Sequence, residues 1–404
     1  MVAVAVLGYG TVGSGVVKVM EKNHDSILAK TGVDIQVKYV LDLREFPGDP
    51  VQEKLVHDYD VIINDPEVRI VVETMGGLNP AYPFTKRALE AGKSACTSNK
   101  ELVARHGTEL LEIAREHQVS YLFEASCGGG IPIIRPMRTS LCSDELDEIT
   151  GIVNGTTNYV LTKMMDEGSE FDDVLHEAQE KGYAERNPEA DVEGHDACRK
   201  LAILSSLAYG KRVDYSDIYT EGISKITSAE IRYAKELGMA IRLLAHSRKE
   251  GENVLAMVAP FLVQKNDPLY LVNGVFNAIF VHGTMLGDAM FYGQGAGKEA
   301  TASAVVADVI EEAQTLGRSV MSEWSPEKQD LQPLAETRKQ FFVRVKGDIN
   351  QKEDVESAFG AVSVVDTDLP GEYGFITPVM SEADYQESAA KLEGKILGMI
   401  RIRG

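Results

Sequence analysis

Glu185, Glu189, Asp191, Glu193 and Asp196 crowd a loop that carries Gly182, Pro188 and Gly194 and runs into a helix bearing Lys200. Asp196 and Lys200 are four residues apart, so they share a face of that helix. Carboxylates clustered beside a lysine suit a substrate with an ammonium group and a lysine that moves a proton. Taken alone, the Asp196–Lys200 pair fits a solvated salt bridge better than a catalytic one. Leu201, Ala202, Ile203 and Leu204 follow, which predicts that this end of the helix is drawn into the fold.

A second feature lies at the other end of the chain. Gly8, Gly10 and Gly13, with Thr11 and Val12 between them, follow the apolar run Val2–Leu7 and open a helix. In that context G-x-G-x-x-G is a dinucleotide-binding pattern, and each glycine has a separate reason. One makes a tight turn, one lets pyrophosphate approach the backbone, and one lets helix and strand pack closely. The helix N-terminus then meets the diphosphate charge. Asp42 closes the second strand, where a carboxylate would hydrogen-bond a ribose 2′-hydroxyl and favour NAD. Arg44 could instead pair with a 2′-phosphate and favour NADP, so both cofactors stay open.

The elements that must position these groups read as follows. Val2–Leu7, Ile35–Leu41, Val61–Ile63, Ile70–Thr74, Ser94–Thr97 and Val119–Glu124 are expected strands. Thr11–Glu21, Pro80–Ala91 and Gly107–Glu116 are expected helices between them, which predicts a doubly wound, Rossmann-type α/β domain over residues 1–146. Residues 147–318 read as an α+β domain on an open mixed sheet that carries the substrate site and dimerisation surface. Its helices include His195–Tyr209, its strands include Asn253–Val263, and Gly297–Leu316 is expected to pack back on the nucleotide domain. A polar linker spans 319–338, and residues 339–404 alternate as βαββαβ, a ferredoxin-like order.

Composition narrows the partners. A net charge of −21 disfavours nucleic acid and anionic membrane, because phosphates would be repelled. No run of about 18 uncharged apolar residues appears, and Val2–Leu7 is too short for a signal peptide core. Cys96, Cys127, Cys142 and Cys198 show no paired spacing, which fits free thiols in a reducing cytoplasm.

The segment Gly182–Lys200 is similar to the homoserine dehydrogenase motif G-Y-x-E-x-x-P-x-x-D-x-x-G-x-D-x-x-x-K, and every fixed position is filled. The blocks Thr97–Lys100, Glu124–Pro132, Gly151–Tyr159 and Gly295–Val305 resemble the same family. The resemblance implies NAD(P)H-dependent interconversion of L-aspartate 4-semialdehyde and L-homoserine, on the route to threonine, isoleucine and methionine. It implies that Lys200 is the general acid/base and Lys100 a second cation between cofactor and substrate. Glu185 and Asp196, supported by Asp191, would hold the substrate amino group. Gly8, Gly10, Thr11, Val12, Gly13, Met75, Ser98, Lys100 and Gly297 would line the cofactor. A monovalent cation, usually sodium, would sit on Glu124 and the main-chain carbonyls of Cys127, Gly129 and Ile131. A homodimer or homotetramer is expected.

Two rival readings fit less well. A phosphorylating aldehyde dehydrogenase needs a nucleophilic cysteine, and none of the four has that context. A nucleotide-sensing regulator without catalysis would have lost Lys100 or Lys200, and both are present. The tail resembles an ACT domain, but Gly347–Gln351 replaces the usual Asp-x-Pro-Gly-type effector loop. That departure implies the fold without strong threonine feedback.

Overall fold

The computed structural model describes residues 1–350 and 352–404; Gln351, at the end of the degenerate tail loop, lies outside the described residues. Strand β1 (Val2–Leu7) is buried along its whole length. An uninterrupted apolar run of this kind is the mark of a strand covered on both faces. It stands centrally in a six-stranded sheet with β2 (Ile35–Leu41), β3 (Leu55–Val56), β4 (Val68–Glu73), β5 (Ser94–Thr97) and β6 (Tyr121–Leu122). Every pairing is parallel and the order is β3-β2-β1-β4-β5-β6. The chain direction of winding therefore reverses between β1 and β4, which opens a crevice at their carboxyl ends. Helices α1 (Thr11–Lys22), α2 (Ala81–Glu90) and α3 (Lys100–Glu116) connect these strands.

One expected strand is a helix. Val61–Ile63 lies within the short helix Tyr59–Ile63, and the strand of that region is Leu55–Val56. The apolar triplet suggested a strand, yet Asp58 caps the turn through Asp60 N, and Tyr59 and Ile62 bury one helical face. Pro80 stands at the cap just before α2 rather than inside it.

The central domain is built on β7 (Leu146–Ile152), β8 (Ala240–Glu250), β9 (Asn253–Val263), β10 (Phe276–Gly283) and β11 (Gly287–Gln294), ordered β11-β10-β7-β8-β9 and antiparallel throughout. Helices α4 (Ile134–Thr139), α5 (Gly155–Glu167), α6 (Phe171–Glu180) and α7 (His195–Tyr209) belong to this part. Helix α7 is buried along most of its length and packs on one face of the sheet. Helix α8 (Lys298–Gln314) then returns to the nucleotide-binding sheet, where Ala302, Val305 and Val309 join the core with Val16 and Val17. Close approach explains Gly15: a Cβ there would lie 2.9 Å from that of Ala302.

Residues 319–338 are anchored to the nucleotide-binding domain. Trp324 is buried against Phe123 and Gly107, and its Nε1 donates to Thr108 Oγ1 at 2.9 Å. In the tail, β12 (Arg338–Lys346), β13 (Ser363–Val365), β14 (Glu372–Ile376) and β15 (Ile396–Ile402) are ordered β15-β12-β14-β13, with all neighbours antiparallel. Helices α9 (Glu353–Phe359) and α10 (Glu382–Ala390) complete a βαββαβ path. The tail is not a detached module. Strand β15 pairs with β9, Phe261 opposite Arg401 and Leu262 opposite Ile402, so the two sheets run on as one of eleven strands. Buried Arg401 also holds Glu382 at 2.5 Å and reaches back to Glu221 at 2.7 Å. Among the described residues, no helix is long and apolar enough to cross a membrane.

Candidate active site

A cleft of about 740 Å³ opens where three stretches of chain meet. The nucleotide-binding domain supplies Val12, Ser98, Lys100 and Gly129; the central domain supplies Glu185, Asp191, Asp196 and Lys200; the lead-in to α8 supplies Gly297. Residues as far apart in the chain as Val12 and Thr301 are thereby brought to one cleft.

The three glycines of the first turn divide their work in the way the pattern demands. Gly8 has φ +92, a left-handed conformation that favours glycine. A Cβ on Gly13 would lie 1.9 Å from the Gly8 carbonyl oxygen, so only hydrogen fits there. Around Gly10 nothing lies within 4 Å of an added Cβ, which leaves room for a phosphate against the backbone. Gly10 caps α1, and its first turn carries no acidic side chain, so the positive helix end is uncontested. A dinucleotide fits this cradle.

At the far end of that cradle Asp42 and Arg44 hold each other. Arg44 donates to Asp42 from Nε and Nη2, both at 2.9 Å, while Tyr9 N donates to the same carboxylate at 2.8 Å. Arg44 holds the Asp42 carboxyl well below the usual carboxylate range, burial opposing it.

At the substrate end, Lys200 Nζ donates to Asp196 Oδ2 and to the Val153 carbonyl, each at 2.7 Å. Two of its three protons are committed, which leaves one for a substrate oxygen. Lys100, the first residue of α3, lies 2.5 Å from Asp196 Oδ1, a close ion contact off the hydrogen-bonding angle. Burial alone would raise the Asp196 carboxyl, yet the two lysines hold it well below its ordinary range. Burial would lower Lys100, and Asp196 reverses that and raises it. Asp191 is raised by burial.

Asn154 belongs to this site although its spacing gave no warning of it. Its Nδ2 donates to Asp191 at 2.7 Å and to Asp196 at 2.9 Å, while its Oδ1 caps α5 at Thr157 N. Glu185 lies on the loop between α6 and α7, fixed by Gln179 Nε2 to its carbonyl at 3.0 Å and by Thr156 Oγ1 to that of Tyr183 at 2.6 Å. Among the described residues the Glu185 carboxylate has no ion-pair or hydrogen-bond partner, so it remains available to a cation.

Glu124 does not present its carboxylate as a free ligand. Oε1 accepts from Ile133 N at 2.6 Å and Ile134 N at 2.8 Å, and Oε2 accepts from Arg135 N at 2.6 Å, which caps α4. The neighbouring carbonyls of Cys127, Gly129 and Ile131 accept no hydrogen bond among the described residues. No group of three His, Cys, Asp or Glu side chains suited to a metal occurs among those residues either. Glu124 therefore shapes this loop through its three amide contacts. Met75 stands on the loop after β4, and Gly8, Gly10, Thr11 and Gly13 form the turn beneath the cleft rather than its lining.

Family models agree with this geometry. Residues 8–124 match the model described as homoserine dehydrogenase, NAD binding domain, and residues 132–310 match the homoserine dehydrogenase model. The chain belongs to the homoserine dehydrogenase family. It is 41% identical over 382 residues to the homoserine dehydrogenase of a Synechocystis species, covering 93% of this chain and 85% of that one. The Bacillus subtilis homoserine dehydrogenase is 42% identical over 312 residues, covering 76% and 72%. Among solved structures, a homoserine dehydrogenase from Thiobacillus denitrificans superposes with TM-score 0.91 at 33% identity, covering 100% of this chain and 98% of that one. A hyperthermophilic archaeal homoserine dehydrogenase in complex with NADPH superposes with TM-score 0.66 at 26% identity, covering 97% of its own length but 77% of this chain. The protein is an NAD(P)-dependent oxidoreductase that interconverts L-aspartate 4-semialdehyde and L-homoserine in amino-acid biosynthesis.

Proposed function

We propose that Lys200 is the acid/base of this reaction and that Asp196 holds it and Lys100 in place. Bound NAD(P)H supplies the hydride to the aldehyde carbon. Lys200 gives its uncommitted proton to the carbonyl oxygen as charge develops there, and takes it back in the oxidative direction. Until that proton has moved, the lysine's positive charge stabilises the developing alkoxide. Lys100 adds a second positive charge on the cofactor side of Asp196. The open Glu185 carboxylate, with Asp191 behind it, receives the substrate ammonium; Asp196, already shared by two lysines, contributes less to that contact than the sequence suggests. The observation that carries this reading is the continuous Lys100–Asp196–Lys200 chain on the wall of the cleft.

Gly8, Gly10, Thr11, Val12, Gly13, Met75, Ser98 and Gly297 hold the nucleotide. The Asp42–Arg44 pair serves either cofactor: Arg44 turns to a 2′-phosphate, or Asp42 to a 2′-hydroxyl. A sodium-like cation on the carbonyls of Cys127, Gly129 and Ile131 would fix the loop between the two domains. The domain boundaries follow the sequence reading, with an ACT-like tail at 339–404 that shares its sheet with the catalytic domain. Subunits associate as a homodimer or homotetramer, for which the exposed Phe276, Met290 and Tyr292 beside edge strand β11 are the supporting surface. Four free thiols suit a cytoplasmic setting. The direct assay is loss of NADH or NADPH absorbance with aspartate semialdehyde. Turnover with either cofactor supports the reading, and none with both contradicts it.

A further inference from the structure

The carboxylate of Glu73 lies outside the cleft, is fully buried, and has no part in the chemistry described above. It ends β4 at the switch point of the sheet, with Leu7 opposite on β1 and Thr97 opposite on β5. Its Oε1 accepts from Met75 N at 2.7 Å and from Gly76 N at 3.2 Å. Its Oε2 accepts from Thr97 Oγ1 at 2.6 Å. The Thr97 hydroxyl oxygen in turn accepts from Asn99 N at 2.9 Å. Asn99 ties the same two loops a second time, since its Nδ2 donates to the Gly77 carbonyl at 2.6 Å. Its Oδ1 then caps α3 at Leu102 N, the helix that begins with Lys100.

We infer that Glu73 is a positioning residue: through Thr97 and Asn99 it locks the Met75–Gly77 loop to the start of α3, and so sets where Lys100 stands against Asp196 and the nucleotide. A buried carboxyl is costly unless its oxygens are used, and here both are spent on two loops that flank the cofactor crevice. A strand end with no such group would leave the single Asn99–Gly77 bond to hold the two loops together. A drift of about 1 Å at a reacting group is enough to cost about a hundredfold in rate. Burial pushes the Glu73 carboxyl upward, while its donors pull the other way.

This rests on the proposed role of Lys100, and the test keeps the two apart. Glu73→Gln retains the shape and the oxygen that accepts from the Met75 and Gly76 amides, but puts an NH2 donor where the Thr97 hydroxyl needs an acceptor. Thr97→Val removes the same bond from the other side, together with the acceptor that Asn99 N uses. In the full chain, NAD(P)H dissociation constants are read from nucleotide fluorescence, with no need for the second substrate, and kcat and KM are then measured for homoserine. Each single variant should weaken NAD(P)H binding and lower kcat by about tenfold, with KM for homoserine unchanged. The double variant should be no worse than the worse single, because both break one connection. Unchanged nucleotide affinity and kcat, effects that multiply, or a loss confined to melting temperature would each overturn the inference. If wild-type protein binds NAD(P)H but does not oxidise homoserine, the substrate reading fails instead, and the binding comparison still decides the role of Glu73.

Discussion

Two ion pairs sit at opposite ends of the same crevice and behave as different kinds of interaction. Asp196 and Lys200 have side chains only 4% and 10% exposed, so separating them would strand two largely buried charges. Arg44 is 61% exposed above Asp42 and can leave its partner at little cost. The first pair is a fixed part of the catalytic geometry. The second is a latch that a cofactor can open. A charge pair in a cleft is thus read by its burial and its remaining partners, not by its length, which is 2.7 Å in one case and 2.9 Å in the other.

The strongest way to break that contrast is Asp196→Ala. It strands two lysines around a buried hole, and removing one partner of a buried pair costs about 3–5 kcal/mol. Activity should fall with stability, both read from thermal melts and steady-state rates; a variant as stable and active as wild type would put Asp196 among ordinary surface charges. The same group has a pH signature. Its carboxyl is held low in the folded protein, so its contribution to stability is present above the ordinary aspartate range and is lost as pH falls below that range through the carboxyl's own lowered value. Asp196→Asn should flatten that acid limb of a stability–pH curve.

Glu185→Gln should act next most strongly, raising KM for homoserine about tenfold as the ammonium loses a charged partner. An unchanged KM would remove Glu185 from the pocket. Arg44→Ala should be mildest, weakening NADPH by up to about tenfold while leaving NADH nearly unaffected and the melting temperature unmoved. Equal effects on the two nucleotides would mean that the latch does not read the 2′ position.

The sequence showed the pieces of the catalytic end clearly because its elements are local and periodic. Lys200 and Asp196 are one helical turn apart, and His195–Tyr209 and Asn253–Val263 stand as expected. The glycine turn was legible for the same reason. What was hidden depends on contacts between distant segments. Asn154 is recognisable only when β7 has carried it beside α7, and Glu73 only when two loops close on it. Val61–Ile63 misled because three apolar residues carry no period, and the Asp58 cap outweighed their strand propensity. The anchoring of the linker through Trp324 was hidden in its polar composition. The continuity of the tail with the central sheet lay in the pairing of β15 with β9, which no local pattern announces.

The central claim is that Lys200 moves the proton while the nucleotide cradle stands independently of it. Lys200→Ala tests both halves at once, with kcat for homoserine oxidation and the NAD(P)H dissociation constant measured on the same preparation. The account predicts a loss of kcat of about 10²–10⁴-fold with nucleotide affinity nearly intact. Near-normal kcat would contradict it, and so would a loss of activity explained wholly by failure to bind NAD(P)H.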